Sequence, residues 1–471
     1  MRRADRHGLT GPTQPGARAG TRAPAIALAG LVLASLAGCA TYHASPLPAT
    51  PDLTSQVDAL KTEVSKLRLE PLKSIEIDPA KGFTPLDVAV LAVLNGPDLK
   101  AKRAALGVSA AQVFAAGLLP DPQVSTNLDQ PIAGPDTHTA FGVSPSLDIA
   151  ALLATVNNER AARFTARQAN LDELWAEWST AQQARQLAVT AMANETRAAF
   201  LQRILTAAAQ RAASSAMAES RGDATAQTAA ADLAAKVDVE TLLATAQASA
   251  AKGRRDLNAL LGLDASVRLP LIEGPQPTSY GAPDVRAYLA RLPSRRPDLL
   301  ALQAGYAAQD AKLRQAIVAQ FPLTQIALAY ARDPTPTTTI GLSAVLALPI
   351  FNGHRGEVRV QEATRAQLHA EYQARLDQVD AQVKDAEATF AQAEAQADAL
   401  RADVPRLEAM FRPIPGAYAR GDIDSLTYLT LLQNIVGKEA DLADRELAAR
   451  MAEIQLETDL FIPPADSRAT P

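Results

Sequence analysis

Two pairs of short segments in this chain alternate between apolar and polar side chains. In one of these segments every second residue is large and apolar, namely Ile326, Leu328 and Tyr330. A period of two is typical of a strand whose two faces meet different surroundings. Proline-containing turns join the members of each pair. The pattern therefore predicts two β-hairpins, with strands at about 122–130 and 138–149 and at about 323–331 and 338–348.

The sequence between the two hairpins predicts very long helices. No proline occurs in residues 146–269, and the clearest break signal is Gly222 followed by Asp223, a helix stop and a candidate cap. We therefore predict helices at about 151–221 and 223–261. At 1.5 Å per residue the first would be roughly 100 Å long. Such a helix suits a coiled coil or the stave of a helical barrel better than a compact domain.

The two halves of the chain carry matching landmarks. A helical pattern over 85–119 precedes the first hairpin, and a similar pattern precedes the second. The matches keep an offset close to 200 residues and are Asn95-Gly96-Pro97-Asp98-Leu99 with Arg295-Arg296-Pro297-Asp298-Leu299, Pro120 with Pro322, Gly142 with Gly341, and Gly222-Asp223 with Gly421-Asp422. This constant offset predicts a tandem repeat of helix, β-hairpin, long helix and helix.

Three prolines distinguish the end of the second long helix from the first. Pro405, Pro413 and Pro415 precede the second Gly-Asp pair, and the first repeat has no proline at the corresponding place. Proline removes a backbone donor and clashes with the preceding helical turn. We therefore predict that the second helical hairpin is bent or interrupted near its tip.

Residues 1–38 are typical of a secretory signal. A basic start precedes an apolar run, residues 25–37, that is too short to span a bilayer. The next residues, Gly38 and Cys39, complete a sequence that resembles the bacterial lipoprotein cleavage box, in which the cysteine carries the lipid. A plain signal peptide with a chance cysteine, or a buried thiol, are the other interpretations. Because Cys39 is the only cysteine and follows the apolar run directly, we predict lipid attachment there.

Residues 39–84 form a tether that is rich in proline, serine and threonine at its start. Four apolar residues within it are spaced 3, 4 and 3 apart: Val57, Leu60, Val64 and Leu67. This spacing favours one short helix lying on the main body. A disordered linker fits the same composition.

Composition narrows the classes of function. The chain has 471 residues and a net charge of −5, which argues against a nucleic-acid-binding protein. Hydrophobic residues make up 48%, but aromatic residues only 4%, and the abundance of alanine favours closely packed helices. After Cys39 no apolar run reaches 18 residues, so any bilayer crossing by the mature chain has to use strands.

Four strands cannot close a barrel, and open strand edges are not viable in lipid. The strands of several chains therefore have to join. Two chains would supply eight strands, which enclose a filled interior, and three chains would supply twelve, which leave a channel. The strand faces rich in Gly, Ala, Ser, Gln and Asn suit a water-filled lumen.

The order of these motifs resembles the TolC-like outer membrane efflux protein family. The segments that carry the resemblance are Ala116-Gly117-Leu118-Leu119-Pro120, Arg295-Arg296-Pro297-Asp298-Leu299 and Leu346-Ala347-Leu348-Pro349-Ile350-Phe351-Asn352-Gly353, within about residues 85–462. The resemblance implies a homotrimer with a twelve-stranded β-barrel in the outer membrane of a Gram-negative bacterium and a twelve-helix α-barrel in the periplasm. It also implies a periplasmic adaptor and an inner-membrane pump as partners of a channel that conducts passively.

This interpretation divides the chain into six parts. They are a lipoprotein signal peptide at 1–38, the lipid-anchored tether at 39–84, the first repeat at 85–263, a linker at 264–283, the second repeat at 284–462 and a disordered tail at 463–471. The fold class is mainly α with a membrane β-barrel contribution.

In this family the tips of the helical hairpins form the periplasmic entrance, where aspartate rings often constrict the pore. The candidates here are Asp422, Asp424, Thr427, Thr430 and, in the first repeat, Asp223. Thr427 and Thr430 occupy the positions where some relatives carry aspartates. A ring of carboxylates would select against anions. The alternative is that Asp422 only caps a helix.

No pattern for catalysis or cofactor binding is evident. The histidines are scattered at His7, His43, His138, His354 and His369, without ligand spacing, and there is no phosphate loop or nucleophile elbow. We therefore expect no enzyme activity, metal or cofactor. The alternative function is a lipid-anchored periplasmic coiled-coil scaffold or adaptor without a pore, although such a protein has no need of two-faced strands.

Overall fold

The computed structural model describes residues 42–73, 75–133, 138–274, 282–335 and 337–464. The expected signal peptide, Cys39 and nearly all of the expected tail lie outside these residues. The chain divides into two units, Met1–Asp52 and Leu53–Pro471. The described part of the first unit, residues 42–52, is exposed and contains no helix or strand.

The second unit contains the same order of elements twice. The first set is α1 Pro85–Asn95, α2 Pro97–Gly117, β1 Gln123–Asp129, β2 Ala140–Asp148, α3 Ile149–Ser220 and α4 Ala226–Leu261. The second set is α5 Ala282–Leu289, α6 Leu292–Arg295, α7 Pro297–Val318, β3 Leu323–Arg332, β4 Thr338–Leu346, α8 Arg355–Phe411, α9 Ile414–Arg420 and α10 Ser425–Leu460. The structure is thus mainly helical, as predicted.

The two hairpins form one antiparallel sheet in the order β1-β2-β3-β4, so β2 of the first repeat pairs with β3 of the second. The register aligns Thr126, Val143, Tyr330 and Ile340 in one row across all four strands. Facing partners lie on the same side of an antiparallel sheet. The apolar faces of the two hairpins therefore form one continuous surface.

Helix α3 is the central packing element. It lies against α4, α7 and α10, while α8 packs against α10 and α7. Alanines that face other helices are almost fully buried along this contact, for example Ala184, Ala188 and Ala191 at 0% exposure. Among the described residues, no helix combines the length and the apolar character that crossing a bilayer requires.

The single helix expected over 85–119 is in fact two helices, α1 and α2. They meet at Gly96, whose backbone is extended in ψ (φ −51°, ψ 125°). The residue before a proline is pushed out of the helical region by the proline ring, and Pro97 follows Gly96. The single-helix prediction was therefore wrong at this position.

The expected short helix in the tether was also wrong. We call residues 53–83 the strap, and its described residues contain three short 3-10 turns: Val57–Ala59, Val64–Lys66 and Glu70–Leu72. Asn95 supplies the reason, because its side chain accepts from the Lys61 N–H at 2.9 Å and donates to the Lys61 carbonyl at 3.1 Å. A continuous helix needs both groups for its own ladder. The strap does lie on the main body, with Leu60, Leu67, Leu69 and Leu72 at most 6% exposed.

The second helical hairpin is interrupted near its tip, as predicted. Helix α8 ends at Phe411, Pro413 has no N–H to donate, and α9 follows as a separate seven-residue helix. Pro405 lies inside α8 without ending it. The long helix of the first repeat, α3, is continuous over 72 residues.

Candidate functional site

The tip of the first helical hairpin is the turn between α3 and α4. Gly222 has a φ of +80°, a conformation that favours glycine, and it lets the Asp223 N–H reach the Ala218 carbonyl at 2.8 Å. The next helix is capped by Thr225, whose hydroxyl accepts from the Thr228 N–H at 3.2 Å. The prediction that Asp223 caps this helix was therefore wrong, and its exposed side chain lies in the turn.

The second tip has the same turn with different side-chain roles. Gly421 has a φ of +78°, and the Asp422 N–H donates to the Ala417 carbonyl at 2.9 Å. The carboxylate of Asp422 does not cap α10, since it pairs with the guanidinium of Arg420 at 2.9 Å. The alternative that Asp422 is only a helix cap is thus corrected, because the cap is Asp424.

Asp424 makes a dense set of hydrogen bonds at the start of α10. Its carboxylate accepts from the backbone N–H groups of Leu426 and Thr427 at 2.8 and 2.9 Å and from the Thr427 hydroxyl at 2.9 Å. The hydrogen bonds from Thr427 lower the pKa of Asp424 below its usual value. Asp424 is therefore a fixed negative charge whose hydrogen-bonding capacity is largely used within the tip.

The four candidates at the second tip are close in sequence and all are exposed. The structure brings Asp424 and Thr427 into contact, whereas the Thr430 hydroxyl donates to the Leu426 carbonyl at 2.8 Å within its own helix. Asp223 lies in the separate turn of the first hairpin. The sequence-predicted residues therefore mark the two tips, but they do not form one cluster.

An aromatic stack supports the second tip. The rings of Tyr418 and Tyr428 lie 4.6 Å apart and nearly parallel, and Phe411 lies 6.3 Å from Tyr428. Below them α10 buries Leu432, Ile435 and Val436 against α3. This apolar contact fixes the position of the second hairpin against the first.

Arg211 joins both hairpins close to their tips. Its Nε donates to the Asp232 carboxylate on α4 at 2.7 Å, and its Nη1 donates to the Ser425 hydroxyl at the start of α10 at 2.8 Å. The side chains of Arg211 and Asp232 are only about a tenth exposed. Sequence reasoning missed this link, because its members are up to 214 residues apart and no local pattern connects them.

A second buried cluster explains the Arg-Pro-Asp segment that opens α7. The Arg296 guanidinium lies 4.4 Å from the centre of the Trp175 ring, pairs with Asp298 at 2.8 Å and donates to the Asp459 carbonyl at 2.7 Å. Asp298 also accepts from Arg375 on α8 at 2.7 Å. One arginine therefore joins the start of α7 to α3 and to the end of α10, and its aspartate partner extends the link to α8.

Charged residues are also buried where α10 crosses the middle of α3. Arg185 lies 2.5 Å from Glu457, and Arg450 donates to Glu453 at 2.8 Å. Glu453 is 0% exposed, and burial raises its pKa to about 7. One of its carboxylate oxygens and two of the Arg185 nitrogens have no hydrogen-bond partner. This interior is therefore polar and sensitive to protonation.

Two buried glutamates of α3 fasten the strap and α2 to this helix. Arg68 of the strap pairs with Glu173, and Arg103 on α2 pairs with Glu177 at 2.5 Å. Burial, followed by the hydrogen bond with Glu177, raises the pKa of Glu173 to about 7. In the part of the chain that the structure covers, no three His, Cys, Asp or Glu side chains are grouped so as to hold a metal ion.

Residues 289–460 match the family described as "Outer membrane efflux protein". The second repeat, expected at 284–462, matches this family over nearly its whole length. The resemblance found in the sequence is thereby confirmed. No curated protein matches the chain by sequence.

Solved structures resemble the chain over most of its length. A membrane protein from Pseudomonas aeruginosa is 19% identical, covers 89% of this chain and 99% of its own, and has a TM-score of 0.66. The Campylobacter jejuni CmeC outer membrane channel is 14% identical, covers 89% and 95%, and has a TM-score of 0.67. The open state of the Neisseria gonorrhoeae MtrE outer membrane channel is 15% identical, covers 80% and 88%, and has a TM-score of 0.62. At these identities the likeness shows a shared fold.

Proposed function

We propose that this protein is the outer membrane channel of a tripartite efflux or secretion system. It acts as a homotrimer and passively conducts substrates that an inner-membrane pump and a periplasmic adaptor deliver. The observation that carries this proposal is the four-stranded sheet, which combines one strand pair from each repeat. The family match over 289–460 and the fold shared with solved outer membrane channels support it.

The two edge strands of the sheet, β1 and β4, can each pair with a further strand. Within the described residues β1 pairs only with β2, and β4 pairs only with β3. Unpaired backbone groups are too costly in a bilayer core, so the edges need strands from neighbouring copies. Three copies supply twelve strands, which is wide enough to leave an aqueous channel.

The two faces of the sheet fit this arrangement. The row of Thr126, Val143, Tyr330 and Ile340 suits contact with lipid, and Ile340 is 72% exposed in the single chain. The opposite face presents small and polar residues, including Ser125, Ser144, Ala329 and Gly341. An apolar outside and a polar inside are the pattern of membrane barrels that conduct water-soluble substrates.

The helices supply a passage below the membrane. Helix α3 has 72 residues, which at 1.5 Å per residue correspond to about 108 Å. Three copies of the two helical hairpins give a twelve-helix α-barrel, with the two tips of each copy at its periplasmic end. A periplasmic adaptor that docks at these tips completes the path to the pump.

The residues at the tips are the candidates for the entrance: Asp223, Asp422, Asp424, Thr427 and Thr430. In a trimer each would appear three times around the opening. The ion pair with Arg420 weakens the field of Asp422, whereas Asp424 keeps its charge because its pKa is lowered. The entrance is therefore expected to disfavour anions only weakly.

Lipid attachment at Cys39 adds a membrane anchor to the channel. Several acyl chains together hold a protein firmly, since each buried CH2 group contributes about 0.8 kcal/mol. Mass spectrometry of the mature N-terminal peptide tests this directly. A lipid-modified Cys39 is expected, and an unmodified peptide that starts at another residue would refute the attachment.

Planar-bilayer conductance of the purified protein tests the channel. We expect a trimer that migrates as a larger species before heating, requires detergent for release from outer membranes, and gives single-channel currents. A monomer that salt alone releases and that gives no current would overturn the proposal and favour the periplasmic scaffold without a pore. Crosslinking from the tips to the adaptor, in cells, tests the partner separately.

A further inference from the structure

A row of exposed side chains on α3 lies just below the sheet. It consists of Leu153, Val156, Arg160, Arg163 and Arg167, and we call it the basic face. The spacing of 3, 4, 3 and 4 places all five on one side of the helix. Val156 is 71% exposed and the Arg163 side chain is 68% exposed. Apolar residues therefore lie nearest the strands and arginines lie farther away.

The surroundings of the basic face give it an excess of positive charge. Glu159 pairs with Arg163 at 2.5 Å, so three arginines and one carboxylate leave a local charge of about +2 in a chain whose net charge is −5. A groove with a volume of about 480 Å³ lies along this face and is lined by Val156, Glu159, Arg160, Arg163, Phe164 and Arg167. Anionic groups are the chemistry that fits such a surface.

Two contacts place the basic face on the outside of the assembly. Leu174 lies on the same face, seven residues after Arg167, and packs against the buried core cluster to which the strap contributes Leu67, Leu69 and Leu72. Arg68 of the strap also donates to Asn170, on the next turn after Arg167. The strap would fill the lumen if this face pointed inward. Helix α3 also contacts α2 and α7 of its own chain, and the five side chains of the basic face stay exposed beside these contacts.

The distance from the sheet matches a lipid headgroup layer. Helix α3 begins at Ile149, directly after β2, so Val156 lies about 10 Å and Arg160 about 16 Å along the helix axis from its start. Side chains on a helix lean toward its N-terminus, which here is the end nearest the sheet. Long arginine side chains can therefore reach back toward the membrane surface.

We propose that the basic face binds the phosphate of an anionic phospholipid in the periplasmic leaflet, with Val156 and Leu153 against its acyl chains. This inference rests on the proposed function, because it needs the sheet to lie in the outer membrane. Three copies present three such sites around the barrel. The sites hold the helical part of the channel at a fixed depth below the bilayer.

Native mass spectrometry of the detergent-purified trimer, with added phosphatidylglycerol or phosphatidylcholine, tests this site. The wild-type trimer is expected to bind phosphatidylglycerol more tightly than phosphatidylcholine. The variant Arg160→Gln/Arg167→Gln removes the excess charge and leaves the Glu159–Arg163 pair in place. We expect it to bind phosphatidylglycerol roughly thirtyfold more weakly, since each of the two arginines contributes on the order of 1 kcal/mol near a charged surface.

The matched control is Arg255→Gln/Arg268→Gln, which removes two exposed arginines, one in the C-terminal part of α4 and one shortly after this helix. It is expected to keep the wild-type preference. An unchanged preference in the Arg160 and Arg167 variant, or an equal loss in the control, would overturn the lipid site. The trimer mass and single-channel current of the same samples separate this outcome from failure of the channel proposal.

Discussion

Arg185 on α3 and Glu457 on α10 form an ion pair at 2.5 Å in which both side chains are at most 1% exposed. Each buried charge has lost its hydration, so it relies on the partner charge for electrostatic stabilisation. The pair joins the long helix of the first repeat to the last helix of the second. It therefore ties the two repeats together in the interior rather than on the surface.

Replacing Arg185 with leucine is expected to destabilise the fold by roughly 3–5 kcal/mol, because the guanidinium that faces the buried Glu457 carboxylate is lost. Denaturant unfolding followed by circular dichroism measures this change. The double variant Arg185→Leu/Glu457→Leu is expected to recover much of the loss, since no charge then remains at this contact.

The control for this prediction is Arg197→Leu, which breaks the exposed pair with Asp444 on the same two helices. Exposed pairs contribute about 0–1 kcal/mol. Equal losses for the Arg185 and Arg197 variants would show that burial does not determine the strength of the contact.

Glu453 makes stability depend on pH in a predictable direction. Its pKa is raised to about 7 by burial, whereas an unfolded glutamate titrates near 4.5. Between these values the folded state holds a proton that the unfolded state has lost, so the free energy of unfolding falls as pH rises from 4.5 to 7. The contribution is fully present below pH 4.5 and is lost above pH 7.

The variant Glu453→Gln is expected to flatten this pH dependence and to be more stable than the wild type at pH 8. Burial also raises the pKa of Glu173 to about 7 and raises the pKa values of Asp172 and Asp459, so the single variant should remove only part of the slope. Unfolding midpoints measured from pH 4.5 to 8 test this. An unchanged slope in the variant would refute the assignment to Glu453.

Replacing Arg296 with lysine, which is also positively charged, is still expected to destabilise the fold. Lysine cannot stack a planar group on Trp175 while it pairs with Asp298 and donates to the Asp459 carbonyl. We expect Arg296→Lys to cost roughly 2 kcal/mol. The adjacent exposed residue offers a matched control, and Arg295→Lys should leave the unfolding midpoint unchanged. A similar effect of both replacements would contradict the role of the buried cluster.

The hairpins and long helices were predictable because their signals are local. Alternation marked the strands, the proline-free stretch marked α3 and α4, and Gly222 marked the turn between them. Pro413 likewise marked the interruption after α8. These features depend on backbone conformations that single residues favour or forbid, so neighbouring sequence is enough to find them.

The errors arose where tertiary contacts decide the local structure. The strap has helical spacing, but Asn95, which is 34 residues away, takes the backbone groups of Lys61 that a helix would use. The link from Arg211 to Asp232 and Ser425 spans up to 214 residues, so no local pattern reveals it. At the tips, both Asp422 and Asp424 have the chemistry of a cap, and only the turn geometry selects between them.

The two aspartates of the second tip therefore offer a direct test of that geometry. Asp424→Ala removes the acceptor for the Leu426 and Thr427 N–H groups, which are orphan donors at the start of α10. We expect it to destabilise the first turn of α10 and to speed hydrogen exchange there by roughly fivefold. Asp422→Ala removes only an exposed ion pair with Arg420, so exchange there should stay within about twofold of the wild type. Exchange measured by mass spectrometry on peptides covering 421–430 distinguishes the two. Faster exchange in the Asp422 variant than in the Asp424 variant would reverse the assignment of the cap.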